Sequence, residues 1–267
     1  MFVLQMHFLS FLQVCSFVFL VILSALDQGY AQTAPNSTLF EQSEGYKKAR
    51  AIYDQRTHLK KHKQAFSSFV DLADQYPKSL KAQLWCIKTS YYLGHRLRDL
   101  DSKKMKTIFA KGMACRKRML KTHAQKEEAQ IWAILMRFKH IIATSTLPPI
   151  GEIEKVARQL EKMVKKKTKS HFPYMMLGAI YRELPGWPIS IGDDQKSMDF
   201  LKKGQTIAKK NAEYLLELAA TQTALDQEDL ARKTYQTCIK QGTGHPDLQW
   251  EAGDARRWAK KMLADLD

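Results

Sequence analysis

Ala65-Phe66-Ser67-Ser68-Phe69-Val70-Asp71-Leu72-Ala73-Asp74-Gln75-Tyr76-Pro77 decides the fold. Ala65, Phe69, Leu72 and Pro77 follow one another at spacings of four, three and five. On a helix the first three share one face. Small Ala65 lets a neighbouring helix come close, Phe69 and Leu72 fill the space beside it, and the ring of Pro77 ends the helix. This is the second-helix pattern of a tetratricopeptide repeat, and it recurs at Ala231, Tyr235 and Cys238 and at Ser197, Leu201 and Gly204. The matching first-helix pattern stands at Tyr174, Leu177, Gly178 and Tyr181. Degenerate copies stand at Leu84, Ile87 and Tyr91, with Lys88 in the small slot, and at Leu215, Leu218 and Ala219. Alternation of the two patterns specifies an architecture and says almost nothing about activity.

Working outward, helix-period patterns run from about Ser43 to the end of the chain. They predict pairs at 43–58 with 63–76, 79–97 with 102–121, 124–145 with 150–168, 171–184 with 194–210, and 212–225 with 228–241. A last helix over 247–265 suits a polar-faced cap, with Trp250 and Trp258 inward. Breaks fall at Tyr76-Pro77, Leu147-Pro148-Pro149, His171-Phe172-Pro173, Gly242-Thr243-Gly244 and His245-Pro246. With only 12 Gly and 8 Pro in 267 residues, a turn-rich β fold is disfavoured. The expectation is an all-α, tetratricopeptide-like helical-repeat solenoid of about five helix pairs plus a C-terminal cap helix, spanning 43–267.

The first 31 residues differ from the rest. They hold no Lys or Arg, and Phe8 to Leu26 is almost wholly apolar, followed by Gly29-Tyr30-Ala31. Small residues in the third-last and last positions suit signal peptidase, so 1–31 reads as a secretory signal peptide and the chain as exported to the periplasm. The competing reading is an uncleaved helix anchoring the chain to the inner membrane, because about 20 apolar residues span a bilayer. Val14 stands where a lipoprotein signal needs a small residue before Cys15. Residues 32–42 read as a flexible polar linker.

The chain carries 43 basic and 27 acidic residues; without Asp27 of the leader the formal charge is +17. Inside a cell such a field would point to nucleic acid. For an exported chain nucleic acid is set aside in favour of anionic lipid headgroups, envelope polymers or an acidic protein surface. Cys86, Cys115 and Cys238 remain after the leader, an odd number with no CxxC pair. They permit at most one internal disulfide, and all three read as buried hydrophobes rather than chemistry.

One segment breaks the repeat. Leu184-Pro185-Gly186-Trp187-Pro188-Ile189-Ser190-Ile191-Gly192-Asp193 separates two helices that an ordinary repeat joins by about three residues. Long ordered loops on a regular scaffold often carry function. With the flanking Tyr174-x-x-Leu177-Gly178-x-x-Tyr181-Arg182-Glu183 and Ser197-x-x-x-Leu201-Lys202-Lys203, this stretch resembles the TatT-like family of periplasmic tetratricopeptide-repeat proteins. It is similar also to the regulator-of-microtubule-dynamics repeat proteins. The ending, Leu230-Ala231-x-x-x-Tyr235 and then His245-Pro246-Asp247, fits as well; the resemblance covers roughly 170–265. It implies a helical-repeat fold without catalysis. Its partner would be the substrate-binding protein of a tripartite ATP-independent periplasmic (TRAP) transporter. Members are typically lipoproteins, from which this chain departs.

No nucleophile elbow, P-loop, GxGxxG or HExxH occurs, and no enzyme activity, cofactor or metal is expected. His58 and His62 stand four apart without a third ligand, among Lys60, Lys61 and Lys63, and read as solvated surface; Glu152, Glu154 and Glu161 read as helix-start acids. Two second helices are strongly basic, one with Lys103, Lys104, Lys117 and Arg118, the other with Lys165, Lys166 and Lys167. They offer an anionic surface a salt-sensitive contact. First helices line the groove of such solenoids, so Trp85, Tyr92, Trp132, Tyr174 and Tyr181, with Trp187, Ile189 and Asp193 of the irregular loop, form the candidate recognition surface. The functional expectation is a non-catalytic periplasmic binding or adaptor protein, an accessory of a TRAP-type transporter. The alternatives are a carrier of a small apolar or anionic ligand within the solenoid and a general cell-envelope scaffold. The oligomeric state is left open.

Overall fold

The computed structural model describes residues 35–97, 100–145, 149–244 and 249–266. The leader at 1–31, and parts of the breaks at Leu147-Pro148-Pro149 and His245-Pro246, lie outside the described residues, as does the Trp250 side chain. Among the described residues the chain is all-α, with two isolated backbone bridges and no strand. The helices are α1 (Pro35–Gln42), α2 (Glu44–Tyr53), α3 (Leu59–Gln75), α4 (Leu80–Arg96), α5 (Ser102–His123) and α6 (Glu127–Thr144), then α7 (Ile150–Lys165), α8 (Phe172–Glu183), α9 (Asp194–Ala208), α10 (Ala212–Ala224), α11 (Glu228–Gln241) and α12 (Gln249–Ala264).

They form two compact units that divide between Pro149 and Ile150. The pair expected at 124–145 with 150–168 therefore straddles the division, and each unit has its own run of helix pairs. In the N-terminal unit α2 packs on α3, α3 on α4, α4 on α5 and α5 on α6. In the C-terminal unit α7 packs on α8, α8 on α9, α9 on α10, α10 on α11 and α11 on α12. Alternate helices also touch, α4 with α6, α8 with α10 and α10 with α12. That double neighbourhood is the helical-repeat arrangement the spacing predicts.

Local chemistry sets the helix ends. Side chains of Ser43, Ser79, Asp101, Asp193 and Asn211 each accept a backbone N–H from the first turn that follows them, at 2.8–3.3 Å. Lys167, Lys209 and Asp226 take positive φ just past α7, α9 and α10. The turn after α11 is tied to the turn before α10: Thr243 N–H donates to Lys210 O and Ala212 N–H to Thr243 O, at 2.8 and 2.9 Å.

The motif residues are the core. Ala65, Phe69, Tyr235, Cys238, Leu201 and Gly178 are buried. A β-carbon on Gly178 would stand 2.7 Å from Leu201, and one on Gly204 would stand 2.6 Å from the Tyr174 β-carbon. Both distances are far inside contact, so these two slots admit only glycine at the observed helix separation.

Two expectations are corrected. The linker at 32–42 includes α1, a helix whose Phe40 is fully buried against Tyr46 and Tyr76. A single large apolar residue at the right turn draws a polar segment into the core, where period alone has too few residues to register. Cys86 and Cys115 are joined in a disulfide between α4 and α5, and only Cys238 among the described cysteines is a free buried thiol. The sequence separation of 29 closes a loop that includes most of both helices. Replacing both half-cystines by alanine is expected to lower the free energy of unfolding by about 3 kcal/mol, by releasing loop-closure entropy to the unfolded chain. Urea unfolding of the double variant checks this, alongside a non-reducing peptide map of the parent.

Candidate interaction site

In the N-terminal unit the expected groove aromatics lie inside. Trp85 stacks on Phe69 with centroids 4.9 Å apart and meets the edge of Tyr53 at 5.3 Å. The Arg50 guanidinium lies 4.6 Å from the Trp85 ring, and Arg56 4.3 Å from Tyr53. Trp132 is fully buried against Tyr91 and Tyr92, at 5.9 and 6.3 Å, with the Lys88 ammonium 5.4 Å from its ring. Lys88 in turn pairs with Glu128 at 3.2 Å. Trp85 and Tyr92 are thus packing residues, because α4 has α1, α3, α5 and α6 around it, and Trp132 of α6 is buried against the tyrosines of α4. The lysine in a degenerate small slot is held by a carboxylate and aromatic faces.

His62 is a further correction. It is buried beneath Tyr53, with ring centroids 5.9 Å apart, while His58, the residue before α3, is exposed. One turn into the helix the spacing of four has turned the second ring inward. Burial, and then the charges of Arg96 and Arg56, push the His62 imidazole down to about 3. Among the described residues no group of three His, Cys, Asp or Glu side chains could hold a metal ion.

In the C-terminal unit Tyr174 and Tyr181 are likewise buried. The Tyr181 hydroxyl donates to Glu161 at 2.5 Å and accepts from Lys196 at 2.6 Å, and its ring stacks on Phe200. Burial and the neighbouring Glu161 push this phenol well up. Next to it Arg182 makes a bidentate contact to Glu217, 3.0 Å at each nitrogen, and a third bond to Glu183. Burial raises Glu217 to about 7 against the pull of Arg182, and raises Glu183 and Asp194 too. At the start of α10, Glu213 is fully buried near Glu251, Asp254 and Arg256, and burial raises it well above the usual range. The Cys238 thiol donates to Ala212 O and is pushed up to about 12 by burial, which removes it as a nucleophile.

The irregular loop is closed on itself. Gly192 N–H donates to Pro185 O at 2.9 Å, and Ile189 and Ser190 N–H both reach Gly186 O. Asp193 N–H donates to Tyr181 O at 2.7 Å, while Ser190 Oγ donates to Glu154 of α7 at 2.8 Å. A β-carbon on Gly192 would stand 1.8 Å from the carbonyl oxygen of Leu184, so the closure requires glycine there. The Trp187–Pro188 bond is cis. Leu184 points inward, whereas Trp187 is 90% and Ile189 53% exposed. The Asp193 carboxylate is occupied in capping α9 through Lys196 N–H. Of the eight expected recognition residues, then, Trp187, Ile189 and Asp193 stand at the surface, all three on the loop, with the Asp193 carboxylate engaged as a helix cap.

The basic faces are exposed as expected, with differences. Lys103, Lys106, Lys111, Lys117 and Lys121 of α5 face solvent, and Lys104 pairs with Asp101 at 2.6 Å. Arg118 is drawn in, bound to Asp74 at 2.8 Å and Gln83 at 3.0 Å. Lys165, Lys166 and Lys167 are exposed at the end of α7. The charge is uneven. Residues 30–149 hold 23 basic and 9 acidic side chains, and residues 150–267 hold 20 and 17.

No family model matches the chain, and no curated protein matches it. Among solved structures, the crystal structure of yeast Tom70 is similar at a TM-score of 0.35 and 10% identity, over 95% of this chain and 70% of that one.

Proposed function

We propose that this chain is an exported, non-catalytic adaptor whose N-terminal unit binds an acidic partner protein. The observation that carries the reading is the excess of 14 positive charges in residues 30–149, with five lysines of α5 exposed and not matched by acids. Such a field steers an acidic partner and sets its register more than it supplies affinity. The Cys86–Cys115 disulfide supports export, because disulfides persist in oxidising compartments. The resemblance of 170–265 to the TatT-like family points to the partner class, a substrate-binding protein of a TRAP-type transporter.

His62, Glu213 and Glu217, each strongly shifted by burial, are enclosed in helix packing rather than gathered at an open cleft. They therefore offer nothing to a substrate.

The test is a pull-down from a cell-envelope extract with the tagged full-length chain and a Lys106→Glu/Lys111→Glu/Lys117→Glu variant. One acidic protein, retained by the parent at about 0.1 M salt and lost at about 0.5 M salt or by the variant, is the expected result. Equal capture by parent and variant would overturn the assignment to α5.

A further inference from the structure

We propose that a second surface, made by the 184–193 loop and the outer side of α7, docks on an anionic phospholipid bilayer. Three observations meet there, all within the C-terminal unit.

The first is Trp187, 90% exposed, with Ile189 half exposed two residues away. A lone, fully presented tryptophan lacks the half-buried surround that shields a protein-interface anchor from water. It matches instead the use of indole rings at the headgroup level of a bilayer, apolar body inward and N–H toward water.

The second is how the loop is held. It is closed by Gly192 N–H on Pro185 O and pinned to α7 by Ser190 on Glu154. Trp187 is three residues from that pin, so its Cα stands within about 10 Å of Ser190, and Lys162 and Lys165 follow about 12 and 17 Å along the axis of α7 from Glu154. Holding the loop in one conformation in advance removes the ordering cost that insertion would otherwise carry.

The third is charge. Each acid of α7 is engaged locally: Glu152 with Lys155, Glu154 with Ser190 and Arg158, Glu161 with Tyr181 and Lys196. Lys162, Lys165, Lys166, Lys167 and Lys169 are exposed, and no acid among the described residues pairs with them. Asp193 and Asp194 lie at the base of the loop, the first capping α9 and the second drawn toward Arg182. Five lysines without fixed geometry suit a diffuse anionic surface better than a patterned protein one. Each basic residue near such a surface contributes about fivefold in affinity, and the contribution falls within a Debye length. The amphipathic stems of lysine also tolerate the interface.

The experiment is hydroxyl-radical footprinting of the full-length chain with phosphatidylcholine vesicles, with and without about 30% phosphatidylglycerol, at about 0.1 M and 0.5 M salt. A local readout is needed because the apolar stretch at 8–26 can itself hold the chain to lipid. Oxidation of Trp187 is expected to fall severalfold with the anionic vesicles at low salt, to recover at high salt, and to change little with neutral ones. Lys162→Glu/Lys166→Glu/Lys169→Glu, surface changes that leave folding intact, are expected to remove the protection. Trp187 equally reactive in every condition overturns the proposal. So does equal protection by neutral vesicles, or protection by an acidic protein captured through this face with none from lipid. These results are independent of the α5 pull-down, so either reading can fail alone.

Discussion

Arg182→Met is expected to lower the free energy of unfolding by about 3–5 kcal/mol at pH 8, because it strands two buried carboxylates. Glu217 is fully buried, Glu183 nearly so, and Arg182 is bonded to both. The expected loss depends on pH, and its sign follows from the carboxyl groups. In the folded parent Glu217 is raised to about 7 and Glu183 is also raised. A folded pKa above the unfolded one stabilises below the unfolded value, and that contribution is lost as pH rises through the folded value. Taking away Arg182 removes what lowers both carboxyls, so their pKa values rise further and the deficit of the variant grows with pH above about 4.5. Near pH 5 both acids hold protons in the folded variant and the deficit shrinks toward a packing difference. Urea unfolding at pH 5 and pH 8 reads the difference directly. An equal loss at both would mean that the arginine acts by packing alone. The companion variant Arg182→Met/Glu217→Leu should recover part of the loss at pH 8, since a hydrophobic pair can replace a buried ion pair without stranding a charge.

The same triad marks where sequence reading stops. Its signal was present: Glu217 interrupts Tyr214-Leu215-Leu216 and Leu218-Ala219-Ala220, and a charge in so apolar a run needs a partner. The partner stands 35 residues away in sequence and is set by which helices become neighbours, which periodicity does not give. The helix boundaries were legible to within a few residues, because caps, prolines and 3.6-residue periodicity are local. The slots at Gly178 and Gly204 were legible for the same reason, and they hold the close contacts the motif implies. The disulfide was not, since three cysteines allow three pairings and only the packing of α4 on α5 brings Cys86 and Cys115 together.

At the candidate surface the outcome divides along the same line. Trp187 and Ile189 were found from an irregular loop, which sequence shows directly. Trp85, Tyr92, Trp132, Tyr174 and Tyr181 were assigned to a groove from their place on first helices, yet they are core. Periodicity identifies the faces of a helix, but α4, which carries Trp85 and Tyr92, has four helices around it and no outward face to identify. His62 shows the converse: lysines on either side suggested solvent, but a helix changes environment within a single turn.

His62→Leu is expected to make the protein resist acid better than the parent, and the gain should widen as pH falls. Buried His62 and His171 are held near 3 and 4, below the ordinary imidazole value, chiefly because burial penalises the charged ring; at His62 the cations Arg96 and Arg56 add to it. Both rings keep unbonded buried nitrogens, and His171 meets the edge of Tyr214. A folded pKa below the unfolded one means that the unfolded chain takes up the proton first, so stability is intact above about 6.5 and is lost as pH falls toward the folded value. The slope is about 1.4 kcal/mol per pH unit for each ring, which brings the loss to several kcal/mol by pH 4 for the two together. Glu213 and Glu217 work in the opposite direction. Their raised values make stability grow as pH falls toward about 4.5, after which they are saturated. Between about pH 6.5 and 4.5 the two sets oppose each other, and below 4.5 the histidines act unopposed, so the parent curve should be shallow and then steep. The difference between the parent and His62→Leu isolates one ring from that sum. It should start near the modest gain from removing unbonded polar atoms at pH 7 and rise steadily to about pH 3. Denaturant titrations at half-unit pH steps would show it. A difference that stays constant from pH 7 to 4 would mean that the ring titrates normally and is open to water in the folded chain.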